Sequence, residues 1–342
     1  MRVVSHPVPS SEWDDFVATM PDATCYHQSG WKGVIESSFG HQGHYLTAVD
    51  CTGKLSGILP LVHMKSRMFG SFLVSLPFVN YGGLLSCNES AERELFLRAE
   101  ALRESLSASY VEFRNMNRQW HTMPVKSHKV TMILKLEVST EKQWLVFNAK
   151  LRNQIRKAQK SGLTVTIGHM ELLDNFYAVF ARNMHDLGTP VYGIQFFRNL
   201  LEEFKVSTYV FLVCLNGIAV AAGIAVCFRD TLEIPWASSN ADYKTMCPNN
   251  LLYWEAIKFA IERGFARFDF GRSSPGGGTY NFKRQWGAES LPLKWQYMLA
   301  PGTRIPHLDP GNPKYRLAIW IWRKLPLLVT TKLGPSIVRN IS

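Results

Sequence analysis

The stretch TYVFLVCLNGIAVAAGIAVCF, residues Thr208–Phe228, is the clearest fold signal in this chain of 342 residues. Two apolar runs flank Asn216-Gly217, and Asn-Gly is a preferred pair for a tight hairpin because both turn positions need positive φ. The stretch HYLTAVDCTGKLSGILPLVHMK, residues His44–Lys65, has the same organisation around Thr52-Gly53. The sequence therefore predicts two similar hairpins, one in each half of the chain.

The segments that follow each hairpin also match in order. A third strand is predicted at Ser71–Phe78 in the first half and at Thr231–Trp236 in the second, and a helix follows each of them. A last strand, Tyr110–Asn115 or Arg267–Arg272, completes each unit. We expect an α/β (α+β) fold with two tandem domains, each a mixed sheet covered by helices. The expected boundaries are residues 1–140, 141–300 and, for a C-terminal tail, 301–342.

Composition indicates a core-forming protein with a strongly basic balance. Apolar residues make up 46% of the chain, charged residues 19%, and the formal net charge is +11. A basic surface favours anionic partners such as phosphates, nucleic acid, acidic lipid or anionic glycan, so we expect an anionic, phosphate-containing substrate. The tail from residue 301 is apolar and basic. It either lies on an anionic membrane surface or packs on the domains.

Several common site types lack their sequence signatures. The chain has no P-loop, no dinucleotide-binding Gly-x-Gly-x-x-Gly after the first strand, no His-Glu-x-x-His and no Gly-x-Ser-x-Gly elbow. The six cysteines are dispersed, so we expect free thiols rather than disulfides or a zinc site. Metal-ligand clusters are also missing, and we expect neither a metal centre nor a bound cofactor. The first residues contain no apolar signal-peptide core, and no run of residues is long and apolar enough to span a membrane. We therefore expect a cytoplasmic protein whose tail is the candidate contact with the membrane face.

A basic helix is predicted between the two halves. In WLVFNAKLRNQIRKAQKSGLTV, residues Trp144–Val165, apolar residues recur at helical spacing and Gly162 ends the helix. Arg152 and Arg156 form a row beside the apolar stripe. We predict that these arginines bind substrate phosphates, because the guanidinium fork suits phosphate oxygens. A solvated basic face is the alternative.

The segment FDFGRSSPGGGTYNFKRQWGAE, residues Phe268–Glu289, carries the candidate chemistry. A strand that contains Asp269 leads through Arg272 into a glycine-rich loop, and a second alternating stretch contains Lys283. Lys283 is the candidate for stabilising an oxyanion or a leaving group, and Asp269 for orienting or deprotonating an amine. Arg272 is a candidate phosphate ligand. The alternatives are a surface lysine, an Asp269–arginine pair and a flexible linker.

Aromatic residues are frequent in the second half and would line a substrate groove. The candidates for the groove are Trp236, Tyr253, Tyr280, Phe282 and Trp286.

These segments together resemble the FemAB-related proteins, in particular those found with exosortase and PEP-CTERM exopolysaccharide systems. The matching stretches occur in order along most of the chain and include SLPFVNYGGLL, AKLRNQIRKAQKSGLTV, NMHDLGTPVYG, IPWASSN, PNNLLYW, FDFGRSSPGGGTYNFKRQWGAE and LGPSIVRNI. The resemblance implies two tandem GNAT-like domains. The best-known FemAB members transfer an amino acid from aminoacyl-tRNA to an amine of a peptidoglycan-precursor peptide. Phe282-Lys283 is similar to the Phe-Lys pair of those members, whose lysine is thought to assist acyl transfer.

The resemblance implies an N-acyltransferase or aminoacyltransferase that acts on a cell-envelope amine. The long coiled-coil arm of some members has no counterpart here, so either aminoacyl-tRNA or acyl-CoA remains as donor. Acyl-CoA enzymes of this fold usually carry a glycine-rich turn before the long helix, whereas this chain has NADYKTMCPNNLLYW. An acyl-CoA-dependent N-acetyltransferase and a non-catalytic binding or scaffold protein of exopolysaccharide assembly are the alternatives.

Overall fold

The computed structural model describes residues 2–6, 11–66, 69–116, 118–305 and 313–341. The chain forms two compact units. The first combines Met1–His128 with Pro292–Leu308 and Val338–Ser342, and the second combines Lys129–Leu291 with Asp309–Ile337. This division differs from the predicted boundaries, because residues 129–140 lie in the second unit and residues 292–300 in the first.

The first unit contains a mixed sheet built largely on the first hairpin. Within the described residues its strands are β1 (Arg2–His6), β2 (Gln42–Val49), β3 (Leu55–Ser66), β4 (Gly70–Val74), β5 (Leu85–Ser86), β6 (Tyr110–Asn115), β7 (Val125–Lys126) and β15 (Lys294–Leu299). Their order is β1-β2-β3-β4-β6-β15-β7, with β5 beside β3. The pair β4–β6 is parallel and its neighbours are antiparallel.

The second unit contains a sheet with the same plan. Its strands in the described part of the chain are β8 (Val130–Lys135), β9 (Leu163–Gly168), β10 (Thr208–Leu215), β11 (Ile218–Phe228), β12 (Thr231–Ser239), β13 (Arg267–Ser273) and β14 (Glu289–Pro292). Their order is β14-β8-β13-β12-β11-β10-β9, and the pair β12–β13 is parallel. Read from the hairpin outward, the two sheets match strand for strand.

The match shows that the two halves exchange one strand. In the first sheet the place beside β6 is taken by β15, which comes from the far end of the second half. In the second sheet the corresponding place beside β13 is taken by β8, which follows the first half in the chain. This exchange is the physical reason that the units differ from the predicted boundaries.

Helices cover both sheets. In the described residues the helices are α1 (Ser11–Thr19), α2 (Trp31–Phe39), α3 (Glu89–Ser105), α4 (Thr140–Val146), α5 (Ala149–Lys160), α6 (Leu173–Leu187), α7 (Ile194–Glu203), α8 (Pro248–Glu262), α9 (Gly278–Arg284), α10 (Pro313–Lys324) and α11 (Leu327–Val338). Of these, α3 packs on β2 and β3, and α8 packs on β10 and β11. The predicted α/β fold with mixed sheets is confirmed.

Local signals explain most of these elements. The predicted Asn-Gly turn joins β10 to β11, and Asn216 and Gly217 have φ angles of 49° and 81°. The predicted basic helix is interrupted, because Phe147 is extended and separates α4 from α5. Helix α5 then starts at an Asn148 cap, whose side chain accepts from the amide of Leu151. Helix α8 begins at Pro248 and holds Asn250 buried in its first turn.

Candidate active site

The crossover β12–α8–β13 positions the candidate site in the second unit. The parallel strands pair from Thr231 and Arg267 as far as Glu233 and Asp269, and no further pairing between them continues in the described residues. In a parallel unit of this kind, the helix that follows the first strand begins at the carboxyl ends of both strands. The fork between β12 and β13 and the start of α8 therefore lie at the same end of the sheet.

A bulge shapes the end of β13. The register with β8 shifts between Asp269 and Arg272, and Gly271 has a φ of 70°. Positive φ is readily accessible to glycine, which has no Cβ to clash. The bulge turns the carbonyl oxygens of Gly271 and Arg272 away from the regular ladder, where they are open to another donor.

That donor is Lys283. Its Nζ donates hydrogen bonds to the carbonyl oxygens of Gly271 and Arg272, each at 3.0 Å. The side chain is 7% exposed, although the sequence alone left a surface lysine as the alternative. The predicted strand around Lys283 is wrong, because Gly278–Arg284 is helix α9. The glycines of the preceding loop form the turn from which that helix starts.

Burial lowers the pKa of the Lys283 ammonium to about 8. The carboxylates of Asp269 and Glu233 oppose this effect by favouring the charged form, and the guanidinium of Arg272 adds to it. A lysine with a pKa near 8 can gain and lose a proton at physiological pH, whereas an ordinary surface lysine stays protonated.

Asp269 and Glu233 are themselves buried, with exposed fractions of 1% and 3%. Oδ1 of Asp269 accepts hydrogen bonds from Oγ1 of Thr131 and from the amide of Gly271, both at 2.7 Å. Glu233 lies opposite Asp269 in the parallel register. Glu233 is not among the residues predicted from the sequence. The available signal was an acid inside the otherwise apolar strand TLEIPW.

A cavity of about 370 Å³ lies at the start of α8. Two lysines, Lys150 of α5 and Lys244 before α8, contribute to its lining together with Ser239 at the end of β12. Asn249 also lines the cavity, and its side-chain oxygen is buried without a hydrogen-bond partner. Two lysines and the N-terminal end of a fifteen-residue helix give this cavity the character of an anion site.

Helix α9 contributes to the same cavity through a different face from Lys283. Asn281, Phe282 and Gln285 line the cavity. A strand would have placed Phe282 on the side opposite Asn281 and Gln285, whereas the helical spacing brings the three together.

The structure separates the two predicted arginines from this cavity. Helix α5 lines it with Lys150 and Gln154, one turn apart. Arg156 is exposed and its guanidinium lies over the ring of Trp144, 5.2 Å from the centroid. Arg152 is half-buried, and its Nε is buried without a hydrogen-bond partner. Helix α5 therefore presents Lys150 and Gln154 to the cavity, rather than the two predicted arginines.

Three of the predicted groove aromatics lie in the packed core instead. Trp236 is 6% exposed, and its ring packs edge-on against Phe196 and Phe197. Tyr253 and Trp286 are 6% and 1% exposed and belong to the main apolar cluster of the unit. Tyr280 and Phe282 are half-buried at the edge of that cluster.

No group of side chains suited to holding a metal ion occurs in the described ranges. No helix of the described chain is both long and apolar enough to cross a membrane.

Residues 147–284 match the family model described as an acetyltransferase (GNAT) domain. That range contains the hairpin, the fork, α8 and Lys283. No curated protein sequence matches the chain.

Solved structures share the fold over nearly the whole chain. FemX is 15% identical, with a TM-score of 0.71 over 93% of this chain and all of its own. L-PGS from Bacillus licheniformis is 11% identical, with a TM-score of 0.58 over 94% of this chain and 98% of its own. A tandem GNAT protein from the clavulanic acid biosynthesis pathway is 8% identical, with a TM-score of 0.56 over 89% and 99% of the two chains. Residues 147–284 are therefore similar to GNAT domains, and the chain shares the fold of FemX and of the tandem GNAT protein.

Proposed function

We propose that this protein transfers an acyl or aminoacyl group to an amine, and that the second unit carries the chemistry. The supporting observation is the buried Lys283 ammonium, which has a pKa of about 8 and lies beside two buried carboxylates. Burying a cation together with two acids costs desolvation free energy. Ionisable groups whose pKa is perturbed in this way concentrate at functional sites.

In the proposed reaction an acceptor amine attacks the carbonyl carbon of the donor. The new C–N bond forms as the bond from that carbon to the donor oxygen or sulfur breaks. The nitrogen releases a proton to solvent, and the leaving atom takes one from Lys283, which then recovers a proton from solvent. The same ammonium stabilises the negative charge that develops on the carbonyl oxygen.

Asp269 and Glu233 act through Lys283 in this proposal. Both carboxylates raise the pKa of the ammonium against the effect of burial and keep more of it protonated near pH 7. Asp269 also holds the Gly271 bulge by accepting from its amide. Because Oδ1 already accepts two hydrogen bonds, we assign Asp269 a positioning role rather than that of the base that deprotonates the amine.

The cavity at the start of α8 is the proposed site for the phosphates of the donor, and the donor's acyl end would reach from there to Lys283, which does not line the cavity. Lys150 and Lys244 would bind phosphates of the donor, with the α8 N-terminus contributing its dipole. Acyl-CoA and aminoacyl-tRNA both carry such phosphates. The GNAT match favours the first, and the FemAB resemblance favours the second.

The acceptor is proposed from the resemblance alone. FemAB-related proteins act on cell-envelope amines, so a peptidoglycan-precursor peptide or an amino sugar of an exopolysaccharide is the candidate acceptor. We place the reaction on the cytoplasmic side of the membrane for the same reason.

Donor consumption tests the proposal. The purified chain is incubated with acetyl-CoA or with charged tRNA, with and without amine acceptors, and mass spectrometry follows both donor and acceptor. We expect Lys283→Met to lower turnover at least about 100-fold, because both proton transfer and charge stabilisation are lost. Lys160→Met, an exposed lysine of the same unit, is the matched control and should leave turnover unchanged.

Full turnover by Lys283→Met would overturn the assignment of Lys283. Binding of a glycan or peptide without consumption of either donor would favour the scaffold alternative. A mass gain with only one donor identifies which of the two is used.

A further inference from the structure

The two C-terminal helices expose large apolar side chains at helical spacing. On α10, Leu317, Trp320 and Ile321 are 58%, 60% and 46% exposed, and they lie three and one residues apart. On α11, Leu328 is 85% exposed, and a row of apolar residues at intervals of four is 37% to 47% exposed. That row is Val329, Leu333 and Ile337. Exposed apolar side chains gathered on one helix face, unlike ones scattered singly, mark interaction surfaces.

The opposite faces of the same helices are docked on the second unit. Nε2 of His185 is hydrogen-bonded to the carbonyl oxygen of Leu325 at 2.9 Å, and Arg323 donates to the carbonyl oxygen of Leu187. Thr330 is 2% exposed. At Gly334 the backbones approach so closely that an added Cβ would lie 2.8 Å from the amide nitrogen of Val191. The segment is thus fixed through one face, and the exposed face is a feature of the folded unit.

The charge of this segment is of one sign. Residues 310–342 contain six lysines and arginines and no aspartate or glutamate. Arg316, Lys324 and Lys332 are exposed on the same two helices as the apolar residues. Apolar side chains that include a tryptophan, flanked by cations, match the chemistry of a bilayer interface with anionic headgroups. A protein partner would have to supply an apolar surface with an acidic rim.

We propose that α10 and α11 form a docking surface for a membrane rich in acidic phospholipids. The helices lie in the interface with Leu317, Trp320, Ile321 and Leu328 among the acyl chains, and the cations contact the lipid phosphates. The surface holds the second unit against the bilayer. It stands apart from the proposed transfer reaction, because its residues belong to helices that do not line the α8 cavity.

Vesicle co-sedimentation of the full chain tests the surface. The protein is mixed with vesicles of phosphatidylcholine alone and with vesicles in which roughly a third of the lipid is phosphatidylglycerol, as in a typical anionic leaflet. We expect binding to the anionic vesicles that weakens as salt is added. The variant Leu317→Ser/Trp320→Ser/Ile321→Ser should lower partitioning more than about tenfold, because three apolar side chains leave the acyl region.

A matched control distinguishes binding through this surface from nonspecific binding through any exposed apolar side chain. Leu145, Val206 and Ile218 are 69%, 88% and 62% exposed on other elements of the same unit, and their triple serine variant should bind as the unchanged chain does. Replacing Arg316, Lys324 and Lys332 with glutamine should weaken binding to anionic vesicles by roughly fivefold for each cation. The same triple glutamine change at Lys157, Lys160 and Lys205 should have a smaller effect.

Equal binding to both kinds of vesicle, or an unchanged partition coefficient in the α10 variant, would overturn the proposal. Sedimentation velocity without lipid tests the alternative that a second copy of the chain binds to this surface. A dimer that the α10 variant converts to a monomer, together with no vesicle binding, would assign this face to a second copy of the chain instead. Far-UV circular dichroism of each variant verifies that the fold is intact.

Discussion

The two units each place an acid at the corresponding position of their own sheet, but the cation that neutralises it comes from a different element in each unit. In the first unit, Glu112 of β6 pairs with Arg114 from its own strand, with 2.6 Å between Oε1 and Nε. In the second unit, Asp269 of β13 lies near Lys283, which arrives from a separate helix behind a glycine-rich loop. A cation on the same strand is fixed by that strand, whereas a cation on a short helix can be retuned by changes in the loop.

The forks between the parallel strands also differ in content. In the first unit the chain continues from β4 into the fork, where the amide of Ser75 donates to the carbonyl oxygen of Glu112. Leu76 and Phe78 follow with φ angles of 58° and 70°, and the amide of Gly82 donates to the carbonyl oxygen of Arg114. In the second unit β12 runs on to Ser239 and the α8 cavity. The comparison indicates that the two units share a framework and differ in the space it leaves: the cavity beside Gly82 and Arg114 is about 50 Å³, whereas the α8 cavity is about 370 Å³.

The largest expected effect is on the buried pair of the first unit. Arg114→Met should lower the free energy of unfolding by about 3–5 kcal/mol, because it leaves the Glu112 carboxylate buried without its cation. Urea denaturation measures the change. Arg182→Met removes an exposed ion pair with Asp186 and should change stability by no more than about 1 kcal/mol.

If the two changes had equal effects, the first pair would not be the structural counterpart that the comparison requires. The double variant Glu112→Gln/Arg114→Met should recover part of the loss, because the uncompensated charge is removed. At temperatures where Arg114→Met is folded, donor consumption should be unaffected.

The second prediction concerns the pH dependence of stability in the second unit. The Lys283 pKa is lowered from 10.5 to about 8 in the folded state, so the unfolded chain binds more protons between these values. Stability therefore rises with pH through this window, and the penalty for the buried ammonium is fully present below pH 8. The expected gain is about 3 kcal/mol relative to Lys283→Met. Urea denaturation of both proteins from pH 7 to 10.5 measures it.

Parallel stability curves for the two proteins would show that Lys283 does not titrate in this range. The same pKa determines how turnover depends on pH. Because the protonated form is the active one in the proposed reaction, turnover should fall as pH rises through about 8.

The smallest expected effect is at the α8 cavity. Lys150→Gln and Lys244→Gln should each weaken donor binding about two- to fivefold, since exposed cations contribute roughly 0.2–1 kcal/mol to an ion pair. The KM for the donor at low and moderate salt measures this, and the difference should shrink as salt is added. Lys54→Gln, on the hairpin turn of the first unit, is the control. An equal effect of Lys54→Gln on the KM would show that Lys150 and Lys244 do not bind the donor at the α8 cavity.

Local chemistry accounts for the parts of the fold that the sequence predicts well. The Asn216-Gly217 turn and the helix stop at Gly162 depend on backbone preferences that act within a few residues. Lys283 could be singled out for the same reason, since it follows a glycine-rich loop. The alternating stretch around it was too short to distinguish strand from helix, and α9 is only seven residues long.

Long-range features account for the errors and omissions. Glu233 gains its role from a parallel register with Asp269 that no local pattern contains. Tryptophan and tyrosine suit a groove and a core equally well, so Trp236 and Trp286 could not be assigned to the core from residue type. The cavity face of α5 depends on how the helix is rotated over the sheet, which the charge pattern alone does not determine.

The exchange of β8 and β15 means that neither half of this protein is an autonomous stretch of chain. When the ribosome has synthesised the first half, β15, which pairs with β6, is not yet made. It emerges only after most of the second half. Cutting the gene near codon 140 would leave β8 in the first fragment and β15 in the second, so each sheet would lose a strand that the other fragment carries. The duplicated halves are bound into a single folding and evolutionary unit, in which each copy depends on the other to complete its sheet.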